Sequence, residues 1–286
     1  MSLSRYELGA YNAAVDRADT RAARVKEIRI KILKIPVWLY RLALVLLLGV
    51  TLGLGGCATG DDRDPRDPLE PLNRVTYKFN DMLDRALIKP LAQGYEYIMP
   101  APANQGVTNF FNNLADIRSA LNNLLQLKVG RAFSDVGRVA INSTVGILGL
   151  IDVASNMNLP RYGEDFGQTL GVWGFGPGPF IVLPLLGPSS GRDTVGLVVD
   201  WYTDPITHIN DDAWRWGLRG LDIIDTRADL LNASRVLEEA SLDPYAFIRD
   251  AFLQRRRSLV YDGNPPDEFE DKFEDRGEAM EEGQER

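Results

Sequence analysis

Apolar residues recur at helical spacing through most of the chain beyond residue 67. Leu69, Leu72, Val75, Phe79, Met82, Leu83 and Ala86 share one stripe, which predicts a helix from Asp67 that Pro90 stops. Asp67 reads as the N-cap, Pro68 as the first helical residue, and Glu70 sits three residues on, as a capping box requires. Residues 91–106, with Pro100 and Pro102, read as a connection. Val107 to Lys128 has the cleanest pattern. Val107, Phe110, Phe111, Leu114, Ile117, Leu121, Leu124 and Leu125 form its stripe, while Asn109, Asn112, Asn113, Asp116, Asn122 and Asn123 occupy much of the remainder. Gly130 reads as the stop. Residues 131–148 repeat the spacing more weakly through Phe133, Val136, Ala140 and Ile147, diluted by Gly137, Gly146 and Gly149. Small residues at such positions let neighbouring backbones approach closely.

Residues 163–191 differ in kind. They hold eight Gly and four Pro but only two charges, Glu164 and Asp165. Such density breaks long helices, yet Leu170, Val172, Trp173, Phe175 and the run Phe180 to Leu183 are too apolar for a solvated loop. An apolar hairpin or loop turning near Gly176-Pro177-Gly178-Pro179 is expected, buried in protein, in lipid or along a cavity. Helical signals return from Asp193 to Leu231, broken at Pro205, with Asp211 or Asp212 as a cap. Asp243-Pro244 opens a last helix that ends in Arg255-Arg256-Arg257, where positive charge complements the helix dipole. Residues 262–286 carry eleven acidic groups against three basic and read as a solvated, disordered tail.

Charge divides the chain. Residues 1–56 carry nine basic groups against four acidic; residues 57–286 carry 23 against 36. Arg24, Lys26, Arg29, Lys31, Lys34 and Arg41 precede the apolar run 42–56, which has the length of a signal-peptide core and is short for a bilayer span. It ends in Leu54-Gly55-Gly56-Cys57, the form of a bacterial lipobox. Small residues let the extended segment enter a signal peptidase. The Cys57 thiol accepts a diacylglyceryl group, and cleavage frees its amine for a further acyl chain. Two or more chains anchor stably where one does not. Ala58, rather than Asp, at the second mature position favours release to the outer membrane. The competing reading is an uncleaved anchor helix from Val37 to Gly56. This gives a domain plan of extension and signal (1–56), lipidated tether (57–66), helical domain (67–261) and acidic tail (262–286).

Several chemistries are excluded or weak. One Cys rules out an internal disulfide, and one His rules out multi-histidine zinc sites. No metal or other cofactor is expected. A net charge of −8 argues against nucleic acid as a partner. His208 with Ser189 or Ser190 would be the only serine–histidine pairing near the Gly/Pro-rich stretch, but no G-x-S-x-G elbow precedes them. Glu164 and Asp165 are adjacent, so a solvated or Arg-paired role is favoured over an acid/base pair. Gly174-Phe175-Gly176-Pro177-Gly178 lacks the later Gly and the Lys of a phosphate-binding loop. Arg255–Arg257 suit either a helix end or anionic headgroups. Trp173, Trp201, Tyr202, Trp214 and Trp216 cluster, and such residues favour the headgroup level of a bilayer. Amphipathic helices also serve ordinary cores, so the pattern leaves bilayer and core readings open.

The segments DPLEPLNRVTYKFND (67–81), FNNLADIRSALNNLLQ (111–126), INSTVGILGLIDVA (141–154), EDFGQTLGVWGFGPGPFIVLPLLGPSSGRDTVG (164–196) and SLDPYAFIRDAFLQRRR (241–257) resemble the MlaA/VacJ family of outer-membrane lipoproteins. The resemblance runs from about Asp67 to about Tyr261, in unbroken order. It implies an all-α, non-enzymatic protein, a ring of amphipathic helices in the inner leaflet of the outer membrane around a central channel. It implies removal of mislocalised phospholipid from the outer leaflet, a trimeric porin as neighbour, and a soluble periplasmic lipid carrier as recipient. The residues suggest a mechanism. Tails need an apolar path and headgroups a wet one, because burying an unpaired charge is costly. Asn109, Asn112, Asn113, Asn122 and Asn123 are candidates for the channel wall. Residues 170–187, with Gly174, Gly176, Gly178, Pro177 and Pro179, are the candidate for a mobile apolar hairpin gating the pore. The alternatives are a structural lipoprotein scaffolding a porin or assembly complex, and an envelope hydrolase dependent on His208.

Overall fold

The computed structural model describes residues 64–266. The expected signal segment and lipobox, the expected lipidation site Cys57, most of the expected tether and the tail beyond residue 266 lie outside the described residues. In chain order the elements are α1 (Glu70–Leu83), a π-helical turn (Asp84–Ile88), α2 (Lys89–Ile98), α3 (Ala101–Leu125), α4 (Val129–Thr144) and α5 (Val153–Asn156). There follow α6 (Phe166–Val172), β1 (Phe180–Leu183), β2 (Gly187–Ser190), α7 (Gly191–Thr203), a 3₁₀ turn (Pro205–His208), α8 (Asp212–Asp229), α9 (Leu231–Ala240) and α10 (Pro244–Val260). The all-α expectation holds, with one two-stranded antiparallel hairpin added. Among the described residues no helix is long and apolar enough to cross a membrane.

Several boundaries differ from expectation, each for a local reason. Pro90 does not end the first helix. The π turn widens the ladder just before it, with Lys89 N–H bonding the carbonyl of Asp84, and Pro90 falls in the first turn of α2, where its missing N–H costs nothing. Residues 91–106 are therefore mostly helical, broken only at Met99-Pro100. Gly130 lies inside α4. The stop is Leu127 at φ 59°, closed by Lys128 N–H to Asn123 O (2.8 Å) and Leu127 N–H to Leu124 O (3.0 Å), a Schellman pattern on a leucine. Asp67 does not cap α1. It is buried, accepts from Asn73 Nδ2 at 2.8 Å, and takes the Tyr245 hydroxyl hydrogen bond. Asp211 and Asp243 do cap α8 and α10.

The Gly/Pro-rich stretch does form a hairpin, but it turns at 184–186, not at 176–179. Phe180 pairs with Ser190 and Leu183 with Gly187, and Leu185 takes φ 68°. Two asparagines one heptad apart on α1 extend the pairing sideways. Asn73 donates to Phe180 O (2.9 Å) and accepts from Val182 N–H (2.9 Å). Asn80 donates to Leu183 O (2.9 Å) and accepts from Leu185 N–H (2.8 Å). Each amide side chain thus satisfies both a carbonyl and an N–H on β1 or the turn after it, groups that would otherwise be orphaned at a sheet edge. Phe180, Val182 and Tyr245 form an apolar cluster here with Tyr77, Phe252 and Leu253 packed on it. Where α6 meets α7 the backbones touch: a Cβ on Gly196 would lie 2.4 Å from Gly167 N.

Candidate functional site: a polar interior under an apolar exterior

Among the described residues, buried polar and charged side chains outnumber buried apolar ones. The antiparallel pair α3–α4 shows this most clearly. Asp116, Asn123 and Asp135 are fully buried and Arg138 nearly so. Asn123 Nδ2 and Ser119 Oγ both donate to Asp135 Oδ2, at 2.8 and 2.6 Å. Arg138 Nε donates to Asp116 Oδ2 at 3.0 Å, and Asn113 Nδ2 to Ser143 Oγ at 2.9 Å. These contacts run as rungs down the seam. Arg138 also donates to Asp152 Oδ2 (2.9 Å) and to Leu159 O (2.8 Å), and Arg161 brings a second guanidinium to Asp116 at 2.8 Å. Burial alone would raise the Asp152 carboxyl; hydrogen bonds from Ser155 and Arg138 outweigh it and hold it at about 2. Asp135 is different. Its burial pushes it upward, and its hydroxyl and amide donors do not compensate.

The outer face is the reverse. On α1, Leu72, Val75, Phe79 and Met82 are exposed along one stripe. On α4, Phe133 is 72% exposed, and on α7 Val198 and Tyr202 are exposed at 66% and 75%. Trp173, Trp201, Trp214 and Trp216 are all exposed. In water this would be a large unfavourable apolar surface; scattered apolar residues are ordinary, but whole stripes mark contact with lipid or protein.

The candidate channel asparagines divide. Asn113, Asn122 and Asn123 are at most 4% exposed, so their side chains face neighbouring helices instead of a lumen. Asn122 Oδ1 accepts from Thr169 Oγ1 at 2.8 Å, which ties α3 to α6. Their amide N–H groups donate to Ser143 Oγ, Arg118 O and Asp135 Oδ2, so each is spent on an internal acceptor. Asn109 and Asn112 are half-buried; Asn109 Nδ2 donates to Leu150 O at 3.1 Å. The gate candidates Gly174, Gly176, Pro177, Gly178 and Pro179 lie in an exposed loop before β1. That loop is held to the start of α7 by Arg192 N–H to Pro177 O and Gly191 N–H to Pro179 O, both 3.0 Å.

Glu164 and Asp165 are both paired with bases. Glu164 is buried, with Gln126 Nε2 at 3.0 Å and Lys128 Nζ at 3.5 Å. Asp165 caps α6 through Gln168 N–H (2.8 Å) and receives Arg256 Nη2 at 2.8 Å. Arg256 also reaches Asp193 Oδ1 at 2.8 Å, so the middle arginine of the C-terminal triplet is an internal clasp between α10, α6 and α7. Ser190 caps α7, accepting from Asp193 N–H at 3.1 Å and donating to Asp193 Oδ2 at 2.9 Å. His208 is exposed, with Nε2 2.8 Å from Tyr202 O. The serines and the histidine are thus engaged in separate local contacts. No group of acidic, His and Cys residues suited to a metal occurs among the described residues.

Arg138 and Asp135 were not singled out by sequence reading, and Asp116 and Arg256 were read only as part of a polar face and of a helix-end charge. A signal existed. Asp116, Ser119 and Asn123 follow spacing i, i+3, i+7, as do Asp135, Arg138 and Asn142 on the next helix, so two polar stripes can face each other.

A helical protein with exposed apolar stripes and a hydrogen-bonded polar interior has relatives of known family. Residues 65–259 match the family described as MlaA lipoprotein. The chain is 36% identical over 233 residues to the intermembrane phospholipid transport system lipoprotein MlaA of Escherichia coli K12, covering 76% of this chain and 88% of that one. It is 33% identical over 220 residues to the protein of the same name from Haemophilus influenzae (74% and 88%), and 34% identical over 189 residues to an uncharacterized protein of Rickettsia felis (66% and 75%). A solved structure reported as the structural basis for maintenance of bacterial outer membrane lipid asymmetry aligns with TM-score 0.61 and 34% identity, over 69% of this chain and all of that one. The chain belongs to the MlaA lipoprotein family.

Proposed function

We propose that this protein is an outer-membrane lipoprotein of an intermembrane phospholipid transport system and maintains the lipid asymmetry of that membrane. It withdraws mislocalised phospholipid from the outer leaflet through an amphipathic channel and passes it to a soluble periplasmic carrier. Acyl chains on Cys57 anchor it on the periplasmic side, and a trimeric porin is its neighbour in the membrane. The observation that carries this reading is the inverted burial: charged and amide side chains fill the helix seams while Val75, Phe133, Val198 and Trp214 are left outside. Such a body is stable where its surroundings are acyl chains, and the lack, among the described residues, of a helix both long and apolar enough to span suits a single leaflet.

The half-buried Asn109 and Asn112 are the two of the five asparagines we retain for the channel wall, and the 174–179 loop for the gate. The chemistry asked of the protein is passive. No bond is broken; the protein lowers the cost of moving a charged headgroup past apolar chains.

The test is the lipid composition of the outer leaflet in cells with and without the gene, paired with reconstitution in vesicles. Phospholipid is expected to accumulate in the outer leaflet on deletion, and the reconstituted protein to move lipid. A reconstituted protein that moves none would return the reading to a scaffold. Locking the 174–179 loop to its neighbours with an engineered disulfide is expected to stop transport, and undiminished transport would remove the loop from the mechanism.

A further inference from the structure

Between the 174–179 loop and α10 lies a cavity of about 430 Å³, within the usual range for a small-molecule site. Its walls are of two kinds. Phe175, Phe252 and Val260 make an apolar side. The charged lining is Arg66, Arg192, Arg256 and Arg257 with Asp193; Arg66 is paired with Asp64 and Asp250, and Arg256 with Asp165 as well as Asp193.

Arg192 is the telling member. Its side chain is only 7% exposed. Its contacts are long: Nε and Nη2 to Asp193 Oδ1 at 3.3 and 3.2 Å, and Nη1 to Phe175 O at 3.4 Å. Asp193 is at the same time held by Arg256, at 3.1 and 2.8 Å, and by the Ser190 hydroxyl. Asp193 is thus shared between the two guanidiniums, with Asp165 as a second partner for Arg256, and the contacts named use three of the five N–H groups of Arg192. The remaining N–H groups of this buried guanidinium can serve an anion that enters the cavity. Gly171 keeps the place open: a Cβ there would come within 2.8 Å of Arg192 Nη1. Arg257 on α10 faces the same cavity while bonding Pro266 O at 2.8 Å.

We propose that this cavity recognises the phosphodiester of a phospholipid headgroup, with Arg192 and Arg257 as its ligands and the Phe175–Phe252–Val260 wall taking the first carbons of the acyl chains. The proposal rests on the transport reading and adds to it the site at which a headgroup is held. A free phosphate ion shares the anionic chemistry but makes no use of the apolar wall, so the two sources are separable.

The experiment uses the full chain in detergent and calorimetric titration with three probes: dihexanoylphosphatidylglycerol, dihexanoylglycerol and inorganic phosphate. The first is expected to bind, the second not, and the third at least about tenfold more weakly than the first. Arg257→Gln is expected to weaken the lipid probe about tenfold, and Arg192→Gln at least as much. Should Arg192→Gln fail to fold, Gly176→Trp replaces it. A Cβ at Gly176 meets nothing within 4 Å, so the backbone accepts the side chain while the ring fills the cavity, and binding is expected to be lost. Unchanged lipid binding by both Arg257→Gln and Gly176→Trp would overturn the proposal. So would inorganic phosphate binding as tightly as the lipid, or the phosphate-free diglyceride binding equally well. A wild type that binds the lipid probe but moves no lipid in vesicles would instead defeat the transport reading and leave the site intact.

Discussion

The α3–α4 pair and the hairpin–α10 region bury opposite kinds of side chain. Around β1, Phe180 and Val182 pack on Tyr245 and Phe252, as in any water-soluble core. Between α3 and α4 the fully buried groups are Asp116, Asn123 and Asp135 with Arg138 among them, and Phe133 and Val136 point outward. The first region hides an aromatic cluster beside the Asp67–Asn73–Tyr245 contacts; the second hides mainly hydrogen-bonded polar groups, with Phe111, Ala120 and Ala132 as its buried apolar members. If the exterior meets acyl chains, as proposed, the same chain uses both because hydrophobic burial drives packing only where the alternative is water. Against acyl chains a Phe gains nothing by turning inward, and an unpaired polar group loses heavily by turning outward.

The largest effect is expected from breaking the polar seam. Arg138→Met leaves Asp116 and Asp152 without their shared guanidinium and should cost about 3–5 kcal/mol, read as a fall in the melting temperature of the detergent-purified protein. Phe180→Ala, in the conventional region, should cost about 3–4 kcal/mol through a cavity. If Arg138→Met proved mild and Phe180→Ala severe, the interior would be ordinary and the contrast would fail.

Acid–base behaviour sharpens the contrast within one small area. Burial pushes Asp200 up to about 6 even with Arg118 nearby. Asp165 is half-buried, and the Arg256 guanidinium overcomes that burial and holds its carboxyl below the ordinary range. Between its ordinary value of 3.8 and about 6, the folded protein keeps a proton on Asp200 that the unfolded chain has released, so this residue makes stability fall as pH rises through that window. Asp165 acts oppositely, contributing stability above 3.8 that is lost as pH falls through its depressed folded value. Asp200→Asn keeps an acceptor for Phe166 N–H and should remove the first slope, leaving the variant more stable near pH 7 by up to about 3 kcal/mol. An unaltered pH profile would show that Asp200 ionises normally in the fold. The smallest effect is expected at Phe133→Ser, within about 0.5 kcal/mol for folding in detergent. Its vesicle affinity should still fall by an amount corresponding to about 1.5–3 kcal/mol of lost apolar burial.

Much of this was legible in the residues. The stripes of α1 and α3 and the caps at Asp211 and Asp243 follow from spacing and local motifs, while the all-α class and the family come from the resemblance of five segments. What periodicity cannot tell is which face of an amphipathic helix turns inward, so Asn113, Asn122 and Asn123 read as a wet wall when they are internal fasteners. Local rules also yield to distant partners. Asp67 looks like a cap, but Tyr245, 178 residues away, and Asn73 claim its carboxylate. Arg256 looks like a helix-end charge until Asp165 and Asp193 fold beneath it. The hairpin turn was misplaced because Gly and Pro are densest at 174–179, while the chain reverses at Leu185 with φ 68°.

Quenching of tryptophan emission by brominated acyl chains tests most directly whether the apolar face meets lipid. Trp173, Trp201, Trp214 and Trp216 are all exposed. In vesicles of phosphatidylcholine with brominated chains, most of the emission should be quenched while aqueous iodide has little effect. Emission untouched by bromine and fully open to iodide would mean that those faces stand in water.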